Sequence, residues 1–582
     1  MPKQSGPASQ VITARKSVAG WLLIAAVCLL MQNPLAFAAE SVQSRIIVKW
    51  KATGANTRAQ TLAETRNEFH RATGLAINPR RSLGERLDVM ELERPLHRDE
   101  FMQTLDRLRA QPDVEYAVPD ERRHALLLPN DPLITATSGR SGQWYLLNTE
   151  PASINAYEAW DYSQGGNTGN GVIVAIVDTG VRFDHPDLAG KLLPGYDFVD
   201  CDQSNCSGSG VKTFLTANDG DGWDADASDP GDWLNSTDQQ NPIFAACDIG
   251  NSSWHGTRLA GIIGAATNNG RGIAGAGWNA RILPVRALGK CGGYDSDIIA
   301  GMRWAAGLPV SGAPNNPNPA RIINLSLGSA GTCSPAYADV IATLNAAGVS
   351  VVASAGNDSA MVNTPANCNG VIAVTGVRNT GTKVGFSSLG TGATIAAPAG
   401  NCGVSNSACL YSLDTTTNLG ATTPGVNDYT DQINYNLGTS SSAPIVAGAI
   451  ALMLGANSNL TPAQIVSTLR TTASPFPSTA TSTCEIPTST TSTTINESEC
   501  NCTASTCGAG IVNAYRAVLA VSSVSSSSSS SAASSVANAT ANATGTSSNG
   551  GGGGGGASTW NSLCLMVGLL LARCRLRYGT PI

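Results

Sequence analysis

Apolar runs rich in β-branched residues alternate along this chain with longer Ala- and Gly-rich stretches. The runs lie at 171–177, 281–286, 321–327, 349–353 and 371–375, and the stretches near 255–266, 295–306, 335–347 and 440–455. The runs lack polar–apolar alternation, so both faces of each strand have to be covered, which is the pattern of a buried parallel sheet. Strand runs separated by helix-length segments imply βαβ crossovers. The expected fold over 125–521 is therefore α/β, a mostly parallel sheet with helices on both faces. Such sheets place working polar groups where their strands end.

Three such places carry reactive chemistry. The run Val172-Ile173-Val174-Ala175-Ile176-Val177 ends in Asp178-Thr179-Gly180, a carboxylate turned by a glycine. His255-Gly256-Thr257 opens one apolar helix, and Gly438-Thr439-Ser440 opens another. A serine at a helix N-terminus sits where free N–H groups favour developing negative charge. It needs a base, and a neutral imidazole is the usual one near neutral pH. Of five histidines, His70, His97 and His124 precede the α/β region, which leaves His185 and His255. The chain order Asp178, His255, Ser440 is one of the known orders of a nucleophile–base–carboxylate triad.

These motifs resemble the subtilisin-like serine protease family, the subtilases. Two further segments fall in the family's order: Ser326-Leu327-Gly328 resembles the strand that pairs with the substrate backbone, and Ser354-Ala355-Gly356-Asn357 resembles the segment ending in the oxyanion-hole asparagine. The resemblance implies Asp178, His255 and Ser440 as catalytic residues and Asn357 as oxyanion donor. It implies Ser326, Leu327, Gly328, Ser354, Ala355 and Gly356 as substrate-binding residues, with Asn363 at the base of the main pocket. No acidic residue is evident there, so broad specificity is expected. The chain departs from the family pattern at Arg258 and Ile445, where a histidine is common, and at Ser441-Ser442, where Met-Ala is common. An acid-acting Ser-Glu-Asp relative is disfavoured by the His255 motif. A binding protein on an inactive scaffold is disfavoured by the intact Asp178, His255, Asn357 and Ser440, and an esterase by the lack of a Gly-x-Ser-x-Gly elbow at Ser440.

Residues 1–38 read as a signal peptide, with Lys3, Arg15 and Lys16 before an apolar core and Ala36-Phe37-Ala38 at the cut. Residues 39–124 read as a small α+β unit with strands at 45–50, 87–92 and 114–119 and helices at 57–72 and 98–110. This resembles the family's ferredoxin-like pro-segment, an inhibitor and folding chaperone, which implies a maturation cut near 122–125. Residues 522–556 form a Ser/Gly-rich linker. Residues 557–582, a short apolar segment followed by Arg573, Arg575 and Arg577, resemble a bacterial C-terminal sorting tail and imply a transient membrane tether.

Between 219 and 232 lie Asp219, Asp221, Asp224, Asp226, Asp229 and Asp232. Carboxylates so dense repel unless a cation sits among them, and calcium suits an oxygen-rich, Gly-containing loop. The resemblance implies a second calcium position at Asp187 and Asn269. Fifteen cysteines point to an oxidising compartment. Cys201–Cys206 and Cys402–Cys409 are expected as local loops, and Cys291–Cys333 and Cys484–Cys507 as longer ones. Zinc is disfavoured by the lack of paired CxxC motifs. A net charge of −6 gives no reason to expect nucleic acid as a partner. Protein or peptide substrates and the chain's own pro-segment are the expected partners of a monomer.

Overall fold

The computed structural model describes residues 42–51, 58–84, 86–120, 128–167, 170–202, 212–402, 409–488 and 499–522. The expected signal peptide, the maturation boundary near 122–125, the linker beyond 522 and the C-terminal tail lie outside these residues.

The N-terminal unit runs β1 (Val42–Trp50), α1 (Arg58–Thr73), β2 (Ile77–Gly84), β3 (Leu87–His97), α2 (Arg98–Arg109) and β4 (Val114–Pro119). Its sheet is antiparallel in the order β2-β3-β1-β4, the βαββαβ topology of ferredoxin-like units. Phe101, Leu105 and Leu108 of α2 are buried as their spacing predicts, against Ile46, Val48 and Trp50 of β1. Each such burial is worth about 1.5–3 kcal/mol. Strand β2 is not foreseen in the sequence: only Ile77 of its eight residues is buried, so no alternation marks it. Phe69 of α1 is buried, while Ala72 is exposed.

The main sheet has seven strands. They are β5 (Ile173–Asp178), β6 (Tyr196–Asp197), β7 (Arg281–Arg286), β8 (Ile322–Leu325), β9 (Ser350–Ser354), β10 (Val371–Val377) and β11 (Ile395–Pro398). The order across the sheet is β11-β10-β9-β8-β5-β7-β6, and every paired neighbour is parallel. Helices α3 (His255–Gly264) and α6 (Thr439–Ala456) cover one face, and α4 (Asp295–Ala305) and α5 (Pro335–Ala346) the other. The unbroken apolar runs follow from this: in β5, Val174 and Ile176 join the α3/α6 layer while Ala175 and Val177 join the α4/α5 layer. Helix α6 crosses β8 to β11 and is buried nearly all round. It is the one described helix long and apolar enough to span a membrane, and here it is a core helix. A hairpin of β12 (Thr416–Asn418) and β13 (Asn427–Tyr429) packs on α3, and α7 (Pro462–Thr472) follows α6.

The strand order reverses at β5, with β7 and β6 on one side and β8 onward on the other. Open α/β sheets form their crevice outside the strand ends at such a switch point. Asp178, Ser326 and Ser354 stand at or just beyond the ends of β5, β8 and β9, three adjacent strands.

The disulfides correct two expectations. Cys291 pairs with Cys247 and Cys333 with Cys368, not with each other. Cys484 pairs with Cys500 and Cys502 with Cys507, because the bridge between Thr483 and Asn501 lays the two segments side by side. The close approach of the Cys484, Cys502 and Cys507 sulfurs is thus two neighbouring disulfides. Cys402–Cys409 forms as expected. Cys206 lies outside the described residues.

Candidate active site

Asp178 closes β5 and is 1 % exposed. Its Oδ1 accepts the Thr179 N–H at 2.8 Å. His255 is the first residue of α3, and its Nδ1 lies 2.8 and 3.0 Å from Asp178 Oδ1 and Oδ2. A buried carboxylate can only accept, so Nδ1 carries the proton and Nε2 keeps a free lone pair. Burial pulls the imidazole pKa down. The Asp178 charge and hydrogen bond outweigh it, Asp232 adds to them, Arg258 opposes them, and the net direction is up.

Ser440 is the second residue of α6. The residue before the helix, Gly438, has φ +121°, and a Cβ there would stand 3.4 Å from the Asn357 amide nitrogen. Pro444 lies inside the same helix and has no N–H, so the Ser440 carbonyl lacks its usual i+4 donor. The Ser326 hydroxyl takes that place at 2.6 Å, and Asn324 Nδ2 donates to the same hydroxyl at 2.9 Å. In return Ser440 Oγ donates to the Ser326 carbonyl at 3.3 Å, not to the imidazole. That bond is long and weak, and in a free site the nucleophile–base hydrogen bond commonly forms only with substrate.

Asn357 Oδ1 accepts both the Thr439 N–H and the Thr439 hydroxyl at 2.9 Å. An N–H can only donate, so these bonds fix which end of the amide is oxygen and turn Nδ2 outward as a free donor. The Ser440 N–H, among the first of α6, is the second donor available there.

The two expected substrate-binding segments flank one turn. The Asn363 N–H bonds the Ala355 carbonyl, and the Ser329 N–H bonds the Thr364 carbonyl. Residues 363–364 therefore lie between 326–328 and 354–356. A Cβ on Gly328 would stand 2.8 Å from the Thr364 carbonyl oxygen, and one on Gly356, at φ +110°, 2.5 Å from Asn363 Nδ2. Asn363 is buried, and its Nδ2 donates to Asp358 Oδ2 at 2.8 Å. The sequence reading missed this carboxylate, which directly follows Asn357.

The acidic residues divide. Asp219 pairs with the buried Arg286, which also bonds Asp197 and the Ala217 carbonyl. Asp229 is fully buried and accepts the Thr179 hydroxyl on one oxygen and the Gly231 N–H on the other. Neither is spare for a cation, which corrects the sequence reading. Asp221, Asp224 and Asp226 line a surface depression of ≈ 470 Å³ and keep free oxygens. Burial and the charges of Asp224 and Asp219 raise the Asp221 pKa. Asp187 accepts Ile273 N–H and Asn269 Nδ2, while Asn269 Oδ1 takes the Arg271 N–H. Burial, with the charge of nearby Asp131, pushes the Asp187 carboxyl up to about 6. Asp131 was not foreseen. His185 is buried with Nε2 3.0 Å from the Asp428 carbonyl, far from serving as the base.

Strand-end carboxylate, helix-opening histidine and helix-N-terminal serine on a seven-stranded parallel sheet define the subtilisin-like class of α/β serine hydrolases. The comparisons agree. The subtilase family model matches residues 169–510, and the chain belongs to that family. The chain is 38 % identical over 449 residues to an extracellular protease of Xanthomonas campestris pv. campestris, covering 77 % of this chain and 66 % of that one. It is 35 % identical over 451 residues to an extracellular basic protease of Dichelobacter nodosus, covering 74 % and 67 %. The chain thus spans about two thirds of each relative's length. A solved protease of Pseudoalteromonas arctica superposes with TM-score 0.55 and 39 % identity, covering 68 % of this chain and all of that one.

Proposed function

We propose that this chain is a secreted serine endopeptidase, made as a precursor that removes its own N-terminal unit. The observation that carries the reading is the Asp178–His255 couple at 2.8 Å, with Ser440 and the outward Asn357 amide on the same crevice. Ser440 Oγ adds to a peptide carbonyl while His255 Nε2 takes its proton. The Asn357 amide and the Ser440 N–H hold the resulting oxyanion. His255 then gives the proton to the leaving amine, the acyl–serine ester forms, and water repeats the sequence to release the acid. Asp178 fixes the tautomer and stabilises the imidazolium. Residues 326–328 and 354–356 would bind the substrate backbone on either side of the pocket floored by Asn363. Asp358 beside that floor favours tolerance of basic side chains within a broad preference.

The names of the relatives support secretion, as do the disulfides. The N-terminal unit is the proposed inhibitor and chaperone, and the tail at 557–582 the proposed transient tether of a monomer. For calcium, the donor set at Asp221, Asp224 and Asp226 fits: three carboxylates with free oxygens that repel one another. At Asp187 and Asp131 both oxygens of each carboxylate already accept hydrogen bonds, and Asn269 turns its amide nitrogen to Asp187, so that pair is not spare for a cation either. Calcium at the acidic loop would be structural.

A fluorophosphonate probe tests the nucleophile. The reading predicts one covalent adduct, mapped by peptide mass spectrometry to Ser440 and absent in Ser440→Ala. An adduct elsewhere, or none, contradicts it.

A further inference from the structure

The turn that presents the catalytic base is anchored residue by residue to loops remote in sequence. Ser253 donates its N–H to Asp232 Oδ1 at 2.6 Å and its hydroxyl to Asp232 Oδ2 at 2.7 Å. The same hydroxyl accepts the His255 N–H at 3.2 Å. One residue on, the Gly256 N–H donates to Thr179 Oγ1 at 3.0 Å, and that hydroxyl donates to Asp229 Oδ2 at 2.8 Å. His255 and Gly256 begin α3, so their N–H groups have no partner within the helix and depend on such caps. Between them and the loops sits Trp254, buried and at φ +53°, a conformation costly for a bulky residue. Its indole N–H is held by the Gly420 carbonyl at 2.8 Å, and the Ser252 N–H by the Ala421 carbonyl. The strained turn persists because both sides are tied down.

We propose that Asp232 is a positioning residue for the catalytic base, acting through Ser253, and that Asp229 acts likewise through Thr179. The inference rests on the peptidase reading above. Two carboxylates of the acidic loop thus orient the imidazole from behind instead of binding a cation. Each hydroxyl is polarised by a carboxylate, which makes it a strong and directed acceptor for the helix N–H. The arrangement fixes the ring plane against Asp178, so that Nε2 faces Ser440 when substrate arrives. Asp232 also adds negative charge near the ring. The charged groups facing His255 are Asp178 from β5, Asp232 from the acidic loop and Arg258 from its own helix; β12 and the first turn of α6 bring none.

The test compares wild type, Asp232→Asn, Ser253→Ala, Ser253→Thr and Asp232→Asn/Ser253→Ala on a soluble peptide substrate. Active sites are counted by titration with a sulfonyl fluoride, and thermal midpoints are recorded alongside. Asp232→Asn and Ser253→Ala are expected to lower kcat about tenfold with KM within about twofold, as small misplacement of a catalytic group does. Ser253→Thr, which keeps the hydroxyl, restores kcat. The double variant loses no more than the worse single one, because the two residues form one chain of bonds. In Asp232→Asn the acid limb of kcat/KM moves to lower pH, since charge that favours the imidazolium is gone; in Ser253→Ala the limb stays. Unchanged kcat and an unmoved limb in Asp232→Asn, beside an active wild type, overturn the inference alone. So does a fall in kcat that only tracks the thermal midpoint. If Asp232→Asn does not fold, the Ser253→Ala and Ser253→Thr pair decides by kcat. An inactive wild type overturns the peptidase reading and this inference with it.

Discussion

Asn357 and Thr439 show how much of this site is decided by single donors and acceptors. With Oδ1 committed to two Thr439 donors, the amide has one orientation and one free end. Asn357→Ala removes an oxyanion donor and should cost about 10²–10³ in kcat, as loss of such a donor does, with KM little changed. Steady-state kinetics on a peptide substrate check this. Ser441, next to the proposed nucleophile, is buried and accepts Asn436 Nδ2 at 2.9 Å. It offers no sulfur to oxidise, so wild type should keep its activity in peroxide while Ser441→Met loses it. Equal inactivation of the two would contradict this. Asp178, His255 and Ser440 stood out in the sequence because each lies at the start or end of an element whose apolar pattern is local. Asp229 was not: its place behind Thr179 exists only after β5 and the acidic loop have met, so the sequence offers an aspartate in an acidic run and nothing more. Asp358 escaped notice for the same reason, since only the fold brings it to Asn363.

At the scale of elements, α6 carries the most consequence. A proline in its second turn costs a backbone hydrogen bond, yet the vacancy is what lets Ser326 grip the Ser440 carbonyl. Pro444→Ala supplies an N–H that competes for that carbonyl. The expected outcome is a thermal midpoint unchanged or raised together with a kcat lower by about tenfold, because Ser326 loses its hold on the nucleophile's residue. An unaltered kcat would show that the link is idle. The sequence placed the starts of α3 and α6 within a residue, since polar motifs give way abruptly to apolar runs there. It missed β2, which buries one side chain, and β6, β11, β12 and β13, each too short for a pattern, and it did not foresee α7.

Across the whole molecule, the sheet order puts three adjacent strand ends at one crevice, and this is where the sequence reading of an α/β fold becomes a site. Long-range pairing was the least legible part. The cysteines show it: Cys402–Cys409 followed from proximity in the chain, while Cys247–Cys291 and Cys333–Cys368 needed the strand order. Structural calcium belongs to this scale too. Chelation should lower the thermal midpoint by about 5–10 °C, restored by calcium, as loss of a ligand well above its Kd does. The triple variant Asp221→Asn/Asp224→Asn/Asp226→Asn should reduce that difference, and no response to chelation would contradict the proposal. The most direct test of the central claim is casein hydrolysis by the secreted wild type and Ser440→Ala at neutral to alkaline pH, with the intact mass of each. The account predicts cleavage by wild type alone, with a mass that begins near Ala125, and a Ser440→Ala protein that keeps its N-terminal unit. Equal hydrolysis by both proteins would show that Ser440 is not the nucleophile and would contradict the account.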